Sequence, residues 1–340
     1  MNTPLSPTQI AIINQFPKNI VIAHRGTTFY APEETEAAMR WARNSGAHYL
    51  EFDLQRTKDG YLVALHDESL HRTSNVKDVF PNRINDKISQ FTYQELLKLS
   101  FGSWFNLKYP ELAKPEFEYQ DILTLEDIIN IAEGKKIKRD ISGKRIIRIN
   151  ETGKIESTYI LDETDQGNRP GIYVETKIPQ LYPNIEIDLK NKLESLLWYN
   201  ADTNKLKVIE TKPNKIKVAN TVNRVVLQTF SKESLVTLNN TFKRKLPTCF
   251  LIWRGNDSTD DIPNDDLKTL EKWVNFGVEN GATIIGPSIG GEPNNYVDLL
   301  TEKHYQIIRK KGLLIHAYSF DTQEQWIKYK PLCDGVFSNK

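Results

Sequence analysis

Short apolar runs recur along the chain, separated by stretches with helical periodicity. The first, Ile20-Val21-Ile22-Ala23, predicts a strand over about 19–24, followed by a helix around 35–45. Strands at about 48–55 and 61–66 come next, joined directly by the turn Lys58-Asp59-Gly60. Further strands are expected at about 171–176, 224–229, 248–253, 282–286 and 313–318, and Val336-Phe337-Ser338 reads as a ninth strand-like piece. Helices are expected at about 185–199, from Ser231, at about 264–279 and 296–311, and around Trp326. The alternation predicts a parallel α/β fold. One strand candidate is surplus to an eight-stranded barrel, and the pattern does not say which.

Two stretches interrupt the rhythm. Residues 68–120 hold turn formers and the aromatic run Phe101-Gly102-Ser103-Trp104-Phe105, with a helical piece near Tyr93–Ser100. Thr124 then caps a helix, with Asp127 placed three residues on as in a capping box. Residues 135–169 alternate Lys, Arg, Ile and Thr around two turns, Ser142-Gly143-Lys144 and Glu151-Thr152-Gly153, as in a β-hairpin or small meander. A polar piece at 200–221 is expected to add another small β-element.

Composition narrows the function class. The 340 residues carry 45 basic and 44 acidic side chains, a net charge of +1. Such a balance gives no bulk attraction to nucleic acid or to an anionic membrane. Cys249 and Cys333 lack the spacing of a cysteine metal site and are expected as free thiols. No stretch is apolar enough for a transmembrane helix. Met1 to Lys18 does not read as a signal peptide. A cytoplasmic protein is the literal reading, and a periplasmic or secreted one follows if a leader has been removed.

Chemistry-bearing residues gather at the ends of the early strands. His24 and Arg25 follow the first apolar run, and His66 follows Tyr61-Leu62-Val63-Ala64-Leu65. Glu51 and Asp53 flank Phe52, so strand alternation points both carboxylates to one face. In α/β barrels the C-terminal strand ends carry the active site. Imidazoles supply acid and base near neutral pH, and carboxylates suit a hard divalent cation. Either could instead serve structure, with the carboxylates pairing to Lys or Arg. Glu175 lies near the end of the strand at 171–176 and shares a face with Lys177 just beyond it, which is either a phosphate contact or an ion-pair partner. Gln228, Phe230, Trp253, His316 and Tyr318 lie near later strand ends, as pocket lining or as packing. The set points to metal-assisted phosphoryl chemistry.

The motifs Ala23-His24-Arg25-Gly26, Ala31-Pro32-Glu33-Glu34-Thr35, Leu50 to Asp67 and Gly171 to Lys177 resemble those of the glycerophosphodiester phosphodiesterases. The resemblance is strongest over 20–74 and returns at 171–177, 224–231 and 313–338. It implies a (β/α)₈ TIM barrel over 1–340, with a cap insertion at about 68–120 after strand 3 and a β-rich excursion at about 135–169 before strand 4. It also implies His24 and His66 as the catalytic acid and base, in an order left open. Arg25 and Lys177 would face the phosphate. Glu51, Asp53 and Glu175 would hold a divalent metal, Ca²⁺ or alternatively Mg²⁺. The expected reaction is hydrolysis of a small glycerophosphodiester, such as glycerophosphocholine, to sn-glycerol 3-phosphate and an alcohol. Lysophospholipase D or sphingomyelinase D-like activity is the alternative, and a non-catalytic binding barrel the third reading. One departure stands out: Glu34 occupies a position where the family usually has asparagine. Head-group preference and oligomeric state are not legible in the sequence.

Overall fold

The computed structural model describes residues 3–254 and 266–340. Its strands, in chain order, begin with β1 (Ile20–Ala23), β2 (Tyr49–Arg56) and β3 (Leu62–Ala64). The short β4 (Lys135–Ile137), β5 (Ile147–Ile149), β6 (Ile155–Ser157) and β7 (Tyr159–Leu161) follow. The remaining strands are β8 (Gly171–Thr176), β9 (Val225–Thr229), β10 (Thr248–Ile252), β11 (Ile284–Pro287), β12 (Leu314–Phe320) and β13 (Gly335–Ser338). The parallel strands β1, β2, β8, β9, β10, β11, β12 and β13 pair in sequence order, and β13 returns to β1. The result is a closed (β/α)₈ barrel.

The surplus strand is β3. It runs antiparallel to β2 at the edge of the ring and takes no part in closure. The cause is local: at the β2–β3 turn Gly60 adopts φ +88, and Thr57 Oγ1 accepts from Tyr61 N at 2.9 Å. A tight turn reverses the chain, whereas a parallel neighbour needs a long crossover. The Val336-Phe337-Ser338 piece belongs to β13, the eighth barrel strand.

Alternation along the strands separates two environments. Inside the ring, Ile20, Ile22, Tyr49, Tyr173, Val226, Cys249 and Phe337 form one buried cluster. Leu50, Phe52 and Leu54 of β2 and Ile172 and Val174 of β8 face outward, into the layer that the helices cover. The helix Pro7–Asn14 and Phe16 lie near the N-terminal strand ends, where Gln9 Nε2 donates to the carbonyls of Val278 and Ala282 and Phe16 packs on Tyr49. The interior is therefore apolar at one end and polar at the other.

Residues 68–120 contain the short helices Val76–Val79, Tyr93–Leu96 and Ser103–Lys108 with several 3₁₀ turns. Their aromatic run turns inward: Phe105 packs with Ala31, Ala38 and Phe117, and Phe101 joins the main core. Residues 135–169 form two antiparallel pairs, β4 with β7 and β5 with β6. The piece at 200–221 departs from expectation, with 3₁₀ turns at Thr203–Lys205 and Val218–Asn220 and no strand. There Ile209 gets its partner from a side chain, since its N–H donates to Asn220 Oδ1 at 2.8 Å and Asn220 Nδ2 donates back to its carbonyl at 2.6 Å. The helix expected to reach 199 stops at Ser195, because Leu197 turns left-handed (φ +58) and delivers Trp198 into the core. The helix expected from 296 begins at Glu302, after Leu299 and Leu300 have been buried. The helix expected at 264–279 is Leu267–Glu279, and positions 264–265 lie outside the described residues.

One glycine fixes the turn on which the first site residues stand. Gly26 has φ +82, and a Cβ there would lie 2.6 Å from Ala38 Cβ in the helix Glu36–Ser45. Gly26→Ala therefore combines a left-handed backbone with a steric clash. It should cost about 1–3 kcal/mol, read as a lower urea midpoint. An unchanged midpoint would show that the turn can relax.

Candidate active site

Parallel register builds the centre of the site. Asp53 of β2 stands beside Glu175 of β8, which stands beside Gln228 of β9, so three polar side chains form one row across neighbouring strands. Glu51 lies two residues below Asp53 on the same inward face. Glu51, Asp53 and Glu175 are 2 %, 1 % and 6 % exposed. Each can offer one oxygen within 4.8 Å of the others.

Cations close over this cluster. Lys177 Nζ lies 3.2 Å from Glu175 Oε1 and 3.6 Å from Asp53 Oδ1, and Arg25 Nε lies 3.5 Å from Asp53 Oδ2. The Arg25 backbone N–H donates to Glu51 Oε2 at 2.7 Å, which accompanies its left-handed φ of +52. Gln228 Nε2 donates to Glu51 Oε1 at 2.7 Å. Although burial opposes ionisation, Lys177, His66 and Arg25 hold Asp53 well below the usual carboxylate range. Burial and the neighbouring Asp53 raise Glu51. Burial raises Glu175 to about 8, with Asp53 adding to the rise and Lys177 opposing it. The cluster is thus short of positive charge. Asp53 Oδ2 and Gln228 Oε1 are buried without a hydrogen-bond partner. Close carboxylates, raised pKa values and unspent oxygens fit a hard divalent cation.

Glu34 joins the edge of the cluster. Its Oε1 accepts from the Asp53 backbone N–H at 3.0 Å, while Oε2 is buried and unpartnered. Burial and Asp53 push its pKa well above the usual carboxylate value, so it holds its proton more tightly.

Each histidine is tied back through Nδ1. His24 Nδ1 lies 2.8 Å from Asn339 Oδ1. Asn339 Nδ2 donates to Asp321 Oδ1 at 2.6 Å. A carboxylate only accepts, so this bond orients the amide with its oxygen towards His24. The proton then sits on His24 Nδ1 and leaves Nε2 as the acceptor. Burial, with Arg25 adding to it, pushes His24 down to about 3. His66 Nδ1 lies 2.7 Å from Asp67 Oδ1, and burial and Arg25 also lower its affinity for a proton. His24, Arg25, Thr28, Glu33, Tyr296 and Asn339 line a cleft of about 100 Å³. A larger hollow of about 790 Å³ lies between the β2–β3 turn, residues 150–157 and the helix Ile185–Ser195. Its charges pair locally, Arg56 with Asp188 and Lys192 with Glu126, and no acid–base set converges there. The smaller cleft, lined by His24 and Arg25, is therefore the candidate site.

The candidates from later strands divide. Gln228 serves the carboxylate row. Phe230, Trp253 and Tyr318 assemble with Tyr296, which lines the cleft, at ring separations of 5.9–6.0 Å. His316 does not reach the cleft: it is fully buried in the barrel, with Nδ1 3.0 Å from Tyr173 Oη and its ring against Phe16. It sits level with Gly335 at the start of β13, well below the strand ends. Asn339, Asp321, Tyr296 and Arg72 are site residues that sequence reasoning missed. Asn339 directly follows β13, so placing that piece in the barrel is the signal that points to it.

The model of the glycerophosphoryl diester phosphodiesterase family matches residues 24–167. A glycerophosphodiester phosphodiesterase of Bacillus subtilis is 28% identical over 100% of this chain and 89% of its own length. The structure of an Agrobacterium tumefaciens glycerophosphodiester phosphodiesterase superposes with a TM-score of 0.57 at 18% identity, over 95% of this chain and 96% of that one. A phosphodiesterase of Oleispira antarctica, solved with its product sn-glycerol-3-phosphate, gives a TM-score of 0.58 at 18% identity, covering 95% and 93%. The matched segment spans both histidines, Arg25 and two of the three clustered carboxylates, and these similarities support membership of the glycerophosphoryl diester phosphodiesterase family of hydrolases.

Proposed function

We propose that this enzyme hydrolyses small glycerophosphodiesters, such as glycerophosphocholine, to sn-glycerol 3-phosphate and the free alcohol. The observation that carries the reading is the pair of histidines, each anchored through Nδ1, beside Arg25, Lys177 and the buried carboxylates. Diester hydrolysis needs a base for the attacking oxygen, an acid for the leaving oxygen and compensation of phosphate charge. In this reading His24, neutral and backed by the uncharged Asn339 amide, accepts the proton of the attacking water at Nε2. His66, backed by the Asp67 carboxylate, holds its proton more readily and gives it to the leaving alkoxide. The phosphorus–oxygen bond to the alcohol breaks as the bond to water forms. Arg25 and Lys177 take the phosphate oxygens. Glu51, Asp53 and Glu175 would hold a divalent cation, Ca²⁺ in preference to Mg²⁺, which supplies Lewis-acid stabilisation of phosphate charge when bound.

The lysophospholipase D reading requires an apolar rim open to lipid. The aromatic run 101–105 is spent on packing against Ala31, Ala38, Phe117 and the main core, which favours the water-soluble substrate. Among the described residues no helix is long and apolar enough to cross a membrane.

His24→Ala and His66→Ala should each lower kcat on glycerophosphocholine by about 10²–10⁴-fold, with urea midpoints near that of the unaltered protein. Near-normal turnover in either variant would remove the two-histidine mechanism. The raised pKa values of Glu51 and Glu175 have a consequence for metal binding. A cation must displace protons from them, so affinity should rise with pH up to about 8, where Glu175 loses its proton, and fall below that. Calorimetry in buffers of different ionisation enthalpy should report proton release at neutral pH. Binding without proton release would contradict the assigned ligands.

A further inference from the structure

A guanidinium bridge lies just outside the cleft. Arg72, from the 68–120 segment, donates through Nε to Asp67 Oδ2 at 2.5 Å and through Nη2 to Asp67 Oδ1 at 2.9 Å. The same group donates to Glu33, through Nη2 to Oε1 at 2.7 Å and through Nη1 to Oε2 at 2.9 Å. Each carboxylate has a second duty. Asp67 Oδ1 receives His66 Nδ1 at 2.7 Å, and Glu33 Oε1 receives Arg25 Nη1 at 3.3 Å. The bonds run unbroken from His66 through Asp67, Arg72 and Glu33 to Arg25.

Only arginine has the donors for this task. Its planar fork offers five N–H groups and can satisfy two carboxylates side by side, whereas lysine is a single point charge. Without the bridge, Asp67 would be free to turn away from His66. Glu33, 10 % exposed at its side chain, would be left with Arg25 as its cation and would draw that guanidinium out of the cleft. The Arg72 side chain is 40 % exposed, so removing it opens no core.

We propose that Arg72 is a positioning residue that fixes the His66 imidazole and the Arg25 guanidinium together, so that one side chain of the 68–120 segment sets the geometry of both the proton donor and the phosphate contact. This rests on the reading of His66 and Arg25 as working groups. A residue with a merely structural role would lower the amount of folded enzyme and leave the KM of the remainder unchanged. A positioning role moves kcat through His66 and KM through Arg25.

The test uses Arg72→Ala and Arg72→Lys in the full chain. In the alanine variant kcat should fall about tenfold or more and KM should rise severalfold, since small misplacements of reacting groups are costly. Guanidinium chloride at non-denaturing concentration should restore part of the loss, and sodium chloride of equal ionic strength should not. Arg72→Lys should stay close to the alanine variant. Independently of activity, ¹⁵N spectra of the resting protein, with His66 assigned by its loss in His66→Gln, should show the His66 Nδ1–H signal displaced in Arg72→Ala. An undisplaced signal overturns the proposal even if the protein cleaves no diester. So does a kcat loss with unchanged KM and no guanidinium rescue. If the signal moves but the unaltered protein has no diesterase activity, the positioning role stands and the functional reading fails.

Discussion

Everything at the active end of this barrel follows from three carboxylates held together away from water. Like charges in a low-dielectric site oppose each other's ionisation, and the protein accepts that cost at Glu51, Asp53 and Glu175. It offsets part of it with Arg25 and Lys177, which still leaves Glu51 and Glu175 reluctant to ionise. A divalent cation would resolve the remainder. On the proposed reading, the same two basic side chains would then meet the oxygens of a phosphodiester.

The fold supplies this arrangement through register and not through loops alone. Asp53, Glu175 and Gln228 share a row because β2, β8 and β9 are parallel neighbours with in-phase alternation. Loops after β1, β3 and β13 then bring the histidines and Asn339 to the same end. The opposite end is filled with Tyr49, Tyr173, His316 and Phe16. His24 and His66 illustrate how second partners differentiate identical side chains: an amide oxygen leaves one a neutral acceptor, and a carboxylate supports the proton on the other.

Much of this is legible in the sequence because period-two alternation reports directly on which side chains share a strand face. Alternation alone places Glu51 with Asp53, and Glu175 with Lys177, on common faces. The barrel strands and the Thr124 cap are equally local signals. What escapes has long-range causes. Whether β3 or β13 belongs to the ring depends on pairing partners, which the run of residues does not carry. Arg72 and Asn339 act through partners as much as 315 residues away along the chain. Being polar residues in a loop and near the chain end, they look locally like solvated positions. His316 misleads in the opposite sense: a polar residue on a late barrel strand suggests the cleft, but it sits too low on the strand and is spent on Tyr173.

The most direct test of the account is release of sn-glycerol 3-phosphate from glycerophosphocholine by chelator-stripped protein, before and after adding Ca²⁺ or Mg²⁺. Release should be negligible from the stripped protein and should recover on adding a cation, Ca²⁺ acting best. Full activity in the stripped protein, or none with either ion, would contradict the central claim that the buried carboxylates exist to hold a catalytic cation.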